Sequence, residues 1–107
     1  MIAMDYELFY KHINAGSKPV LVEFSAPWCV YCRRIGPALE KVAAQYADTL
    51  TVGQVNIDSE PELTHVERIE VVPTLVLYHY GQALGNQAGT DRHRQILLYD
   101  NRFAKSL

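Results

Sequence analysis

The stretch that most constrains this chain is Val20-Leu21-Val22-Glu23-Phe24, a near-continuous apolar run that leads into Trp28-Cys29-Val30-Tyr31-Cys32. Such a run suits a strand covered on both faces, as in a sheet with helices above and below. The residues from Arg33 to Tyr46 read as a helix, so the two cysteines fall at a strand-to-helix junction. They are the only cysteines present. Thiolate is the nucleophile of disulfide exchange, and a second thiol one helical turn away can complete the reaction. A Cys-x-x-Cys at such a junction is the pattern of a dithiol redox site.

With 107 residues, 49% of them apolar and 21% charged, the chain is expected to form one domain, 1–107, with its own core. A formal charge of −2 leaves no electrostatic case for nucleic acid. The small cluster Arg92, His93, Arg94 reads as a solvated helix face. No stretch has the apolar length of a membrane span. The first ten residues carry Asp5 and Glu7 and lack the basic-then-apolar order of a signal peptide, so a cytoplasmic location is expected. In a reducing compartment a lone cysteine pair is more often catalytic or metal-binding than a stabilising bridge.

A helix is expected from Asp5 to Asn14, with Leu8, Phe9 and Ile13 at helical spacing and Gly16 as its stop. Met1 to Met4 is a candidate edge strand. Val20 to Ser25 is the first strand, and a helix follows from about Cys29 to about Tyr46. Ile35, Leu39, Val42, Ala43 and Tyr46 form its apolar stripe, and Gly36-Pro37 should interrupt its ladder and kink it. Leu50 to Asn56 reads as a strand, and a short helix starts near Ser59-Glu60-Pro61. Val71 to Tyr78 holds the next strand, opened by Pro73. Gly81 turns the chain, Ala83 to Ala88 returns as an edge strand, and Gly89 interrupts it. Thr90 caps a last helix reaching about Ala104, with Ile96, Tyr99 and Phe103 inward. The expected architecture is α/β: a central mixed sheet of four to five strands flanked by about four helices.

At the start of its helix Cys29 should lie near unpaired amides and the positive end of the dipole, which stabilise thiolate. Arg33 and Arg34 add charge of the same sense. Cys32, a turn deeper, should keep its proton longer and act as the resolving thiol. Three other readings stay open at this point: half of a zinc site, a structural disulfide, and a scaffold without activity. The first would need two more ligands, and His12, His65, His79 and His93 show no paired spacing. The second would close too small a loop to constrain the unfolded chain much.

The stretch Glu23-Phe24-Ser25-Ala26-Pro27-Trp28-Cys29-Val30-Tyr31-Cys32, followed by Pro37, Val72-Pro73-Thr74, Gly81 and Gly89, resembles the thioredoxin family from about Asp5 onward. The resemblance implies a thioredoxin fold, with Pro73 in the cis form facing the cysteine pair and the Val72 backbone pairing with a substrate peptide. A plain strand-start proline is the other reading of Pro73. The resemblance also implies reduction of protein disulfides, no bound cofactor, disulfide-containing protein substrates, and re-reduction by a flavin- and nicotinamide-dependent reductase of the thioredoxin reductase type. No metal is implied.

Glu23, an acid within an apolar strand, should be held partly protonated by desolvation. Beneath the cysteines it could accept the proton of Cys32; an exposed strand end is the alternative. Its neighbourhood is similar to protein disulfide isomerase domains, which more often carry glutamate here. Trp28, Val30, Tyr31, Val72 and Pro73 are candidate substrate-contact residues, with ordinary core packing as the alternative for Trp28. The sequence departs from similar thioredoxins in two places. Val30-Tyr31 stands where Gly-Pro is typical, and those positions tune redox poise. Gln54 stands where a lysine is common near the buried acid, so Glu23 should titrate higher. An oxidase or isomerase, or a non-catalytic binding module, are the competing functions.

Overall fold

Val20–Ser25 is buried at every position and lies near the middle of a five-stranded mixed sheet, with the cysteine-bearing helix beginning five residues beyond it. The computed structural model describes residues 1–88. Its strands are β1 (Ile2–Ala3), β2 (Val20–Ser25), β3 (Thr51–Asn56), β4 (Thr74–His79) and β5 (Gln82–Ala88). Its helices are α1 (Tyr6–Asn14), α2 (Val30–Gln45) and α3 (Pro61–Val66). The sheet order is β1-β3-β2-β4-β5. β3 pairs parallel to β1 and β2, whereas β4 pairs antiparallel to β2 and β5.

Alternation along β2 divides the interior in two. Val20, Val22 and Phe24 pack with Phe9 and Ile13 of α1, Leu63 of α3, and Val55, Val76 and Tyr78. Leu21 faces the other way and packs with Ile35, Leu39 and Val42 of α2 and with Val52 and Leu75. Ala43 and Tyr46 close this second layer, so the stripe read from the sequence is the buried one. Glu23 has the parity of Leu21, so the strand turns it toward the α2 side.

Local signals account for the ends. The Asp5 carboxylate accepts the Leu8 amide at 2.8 Å and starts α1. Gly16, just past the end of α1, has φ +91°, a conformation costly for residues with a Cβ. Pro61 opens α3. At the β4–β5 hairpin Tyr80 and Gly81 both have positive φ, as a two-residue turn of primed type requires. The ladder between these strands shifts register at Leu77/Tyr78.

Pro37 lies inside α2, yet the helix remains one element from Val30 to Gln45. Proline removes one donor, but the buried stripe on either side of it holds both halves against the sheet. The fourth strand begins at Thr74, so Val71, Val72 and Pro73 form the loop leading into it. The expected helix from Thr90 with Ile96, Tyr99 and Phe103, the Gly89 break, and the Arg92–His93–Arg94 face lie outside the described residues.

Candidate active site

β2 and β3 run parallel, so the loops after them emerge at the same end of the sheet. The loop after β2 carries Ala26, Pro27 and Trp28 to Cys29, the residue that caps α2. The Cys29 sulfur accepts the Cys32 amide at 3.2 Å, doing the work usually given to a serine or aspartate oxygen. Cys29 and Cys32 are joined as a disulfide, with their Cα atoms 5.3 Å apart. In the disulfide form exposure does not separate the two residues, at 6% for Cys29 and 5% for Cys32. Their difference is in hydrogen bonding, since Cys29 takes the amide that the helix start leaves unpaired.

Val72 comes from the opposite side and packs with Ile57 against Ala26, Cys29 and Cys32. The Val72–Pro73 bond is cis, and Pro73 is buried. The Thr74 hydroxyl donates to the Val71 carbonyl at 2.6 Å, tying this loop to the start of β4. Sequence reading named Val72 and Pro73 and missed their neighbour Val71, a large apolar side chain left exposed beside them. Trp28, at 62% exposure, is not a core residue. Val30 and Tyr31 are exposed as well, so the cysteines lie buried inside a rim of exposed apolar groups.

The Trp28 indole N–H donates to the Asp58 carboxylate at 3.1 Å. Asp58 is placed by an Asx turn, in which the Asn56 side chain accepts the Asp58 amide at 2.9 Å. Asp58 was not foreseen as a site residue. The signal was available in the polar Asn56-Ile57-Asp58-Ser59 stretch closing β3, once β2 and β3 are known to end side by side.

Glu23 is fully buried, which excludes the exposed strand end. It sits opposite Gln54 in the β2–β3 ladder, and the Gln54 amide donates to its carboxylate at 2.9 Å. Among the described residues its second oxygen, Oε2, has no hydrogen-bond partner. Burial pushes the carboxyl up from 4.5 to about 7, while the Gln54 hydrogen bond pulls the other way. A cavity of about 340 Å³ is lined by both Cys32 and Gln54. The cavity thus borders both a cysteine of the pair and the residue whose amide holds the buried acid. Among the described residues no group of three or more His, Cys, Asp or Glu is gathered to hold a metal, and no helix is long and apolar enough to cross a membrane.

A Cys-x-x-Cys disulfide capping a helix, set in a mixed sheet with helices on both faces, is the arrangement of a thiol–disulfide oxidoreductase on a thioredoxin-type scaffold. The chain belongs to the thioredoxin family: the Thioredoxin family model matches residues 1–99. It is 41% identical over 81 residues to the thioredoxin of Alicyclobacillus acidocaldarius subsp. acidocaldarius, covering 76% of this chain and 77% of that protein. It is 33% identical over 89 residues to the bifunctional thioredoxin reductase/thioredoxin of Mycobacterium leprae (strain TN), covering 83% of this chain and 19% of that one. A solved structure of Plasmodium falciparum thioredoxin superposes with a TM-score of 0.81 at 26% identity, covering 94% of this chain and 98% of the other. By family and cysteine pair the enzyme class is protein-disulfide reductase.

Proposed function

We propose that this protein reduces disulfides in polypeptide substrates, working as one domain in the reducing cytoplasm and drawing electrons from a thioredoxin reductase-type donor. The observation that carries the reading is the Cys29 sulfur seated on the Cys32 amide at the start of α2. That amide and the helix dipole stabilise negative charge on Cys29 more than on Cys32. In the reduced protein the Cys29 thiolate attacks one sulfur of the substrate disulfide. A Cys29–substrate bond forms, and the other substrate sulfur leaves as thiolate. Cys32 then loses its proton to Glu23 and attacks the Cys29 sulfur. The second substrate sulfur leaves, and the two electrons of the dithiol have passed to the substrate.

Glu23 suits this role because a carboxyl poised at about 7 is divided between acid and base near neutral pH. Trp28, Val30, Tyr31 and the Val72–Pro73 loop supply the contact surface, with the Val72 backbone free to pair with an extended chain. The Mycobacterium leprae relative, whose name joins thioredoxin reductase and thioredoxin in one protein, supports an electron donor of that kind.

The test is insulin reduction coupled to a thioredoxin reductase and NADPH, together with the equilibrium reduction potential of Cys29–Cys32. Turnover with a potential at the reducing end is the expected result. A clearly more oxidising potential would instead assign an oxidase or isomerase. No redox activity, with Cys29→Ser indistinguishable from the parent, would leave a binding module. Cys32→Ser is expected to accumulate a mixed disulfide at Cys29, visible by mass spectrometry. Trapping through Cys32 in Cys29→Ser, with none in Cys32→Ser, would reverse the two roles.

A further inference from the structure

The dipeptide between the cysteines is not inert spacing. The Arg34 guanidinium carbon lies 5.4 Å from the centre of the Tyr31 ring, a cation–π contact. Three residues apart on α2, the two side chains are surface neighbours. Tyr31 is 44% exposed. Arg33 is exposed and lines the cavity beside Cys32. Among the described residues the one ion pair joins the Met1 amino group to Glu40, and neither arginine is paired with a described carboxylate. The chain as a whole carries −2. Arg33 and Arg34 thus bring two positive charges to the rim of the cysteine pair and Asp58, held by Trp28, brings one negative charge, on a protein whose net charge is negative.

We propose that Arg34, seated on Tyr31, is a specificity determinant that favours disulfides flanked by acidic side chains. The inference rests on the exchange reading above and names the substrate class for that site. An arginine free in solvent loses rotamer freedom when it pairs, which cancels much of the gain at a surface. Stacking on the ring removes part of that freedom beforehand, and the planar guanidinium keeps its N–H donors for a carboxylate. The reach also fits. Cys29 and Arg34 lie about 7.5 Å apart along the helix axis and about 140° apart around it, but stacking turns the guanidinium back onto Tyr31, between the two cysteines. A carboxylate a few residues from the substrate half-cystine can thus meet Arg34 at the rim while its sulfur meets Cys29.

The test uses two amidated peptides, Gly-Glu-Gly-Cys-Gly-Glu-Gly and its lysine counterpart, each carrying a 2-thiopyridyl mixed disulfide on cysteine. Mixing with the chemically reduced protein releases the peptide thiol and pyridine-2-thione as Cys29–Cys32 closes, and absorbance follows the thione. The Glu peptide is expected to react about three- to tenfold faster at low salt, through tighter binding rather than a higher limiting rate. The ratio should shrink at about 0.5 M salt. Arg34→Gln should bring it to about one, and Arg34→Lys should retain most of it. Each ratio is measured within one preparation, so partial unfolding of a variant cancels. A ratio of one or a preference for lysine in the parent, as net charge alone dictates, would overturn the proposal. So would a Glu preference that survives Arg34→Gln. If neither peptide releases thione, the exchange reading falls and takes this inference with it.

Discussion

Glu23 carries the sharpest consequences at the scale of a single residue. In the unfolded chain its carboxyl ionises near 4.5, whereas in the folded protein it holds its proton to about 7. The folded state therefore binds more protons between these values, and stability falls as pH rises through them. Above about 7 the full cost of a buried carboxylate is present. Glu23→Gln removes that cost, so its stability relative to the parent should grow from about pH 5 to about pH 8, by up to about 3 kcal/mol. Urea unfolding at the two pH values measures it. The same variant should slow the resolving step about ten- to a hundredfold near neutral pH, read as longer-lived mixed disulfide after quenching. Gln54→Lys acts in the opposite sense. A cation against Glu23 should lower its midpoint by about one unit or more, measurable by carbon NMR of the labelled carboxyl. Cys29, Cys32 and Glu23 were legible in the sequence because each is unusual for its local setting, and Gln54 because similar thioredoxins commonly carry a lysine there. The bond from Trp28 to Asp58 was not, since it exists only where two parallel strands end together.

At the scale of elements, the strands and helices were legible wherever residue pattern and cap agreed. Val20 to Ser25 was read with its observed limits, and α1 starts at the aspartate that caps it. The packing that spans Pro37 was not legible, because the contacts of Ile35, Leu39 and Val42 with the sheet are tertiary. Nor was the meaning of Gly53. Met4, buried above β3, occupies the space a side chain would need there. An added Cβ would meet its Sδ at 2.5 Å and run into its Cε. The contested atoms are the far end of a flexible side chain, so Gly53→Ala should cost only about 1 kcal/mol or less as Met4 shifts. Pairing it with Met4→Ala should give a total smaller than the two single losses combined, because the smaller residue vacates the contested space. Urea midpoints of the four proteins in this cycle decide the matter.

The whole molecule is tied together by groups that no local pattern announces. Glu67, just past α3, accepts hydrogen bonds from Tyr10 of α1 at 2.9 Å and from Tyr78 of β4 at 2.7 Å. Burial and the neighbouring carboxylate push the Tyr10 phenol up to about 12 and the Tyr78 phenol higher still, so both remain donors. Glu67→Leu strands the buried Tyr78 hydroxyl and should cost about 1–3 kcal/mol. Replacing Tyr78 by Phe in that background should recover part of the loss, as denaturant unfolding will report. The sheet order carries a different consequence, one for synthesis. β2 and its cysteines leave the ribosome well ahead of the Val72–Pro73 loop and of β4, which must pair on the free edge of β2. Since chains emerge from the N-terminus onward, every nascent copy passes through a stage with its dithiol made and its cover missing. During that interval the thiols are open to oxidants and to the thiols of neighbouring chains, so maturation of this reductant itself calls for a reducing milieu.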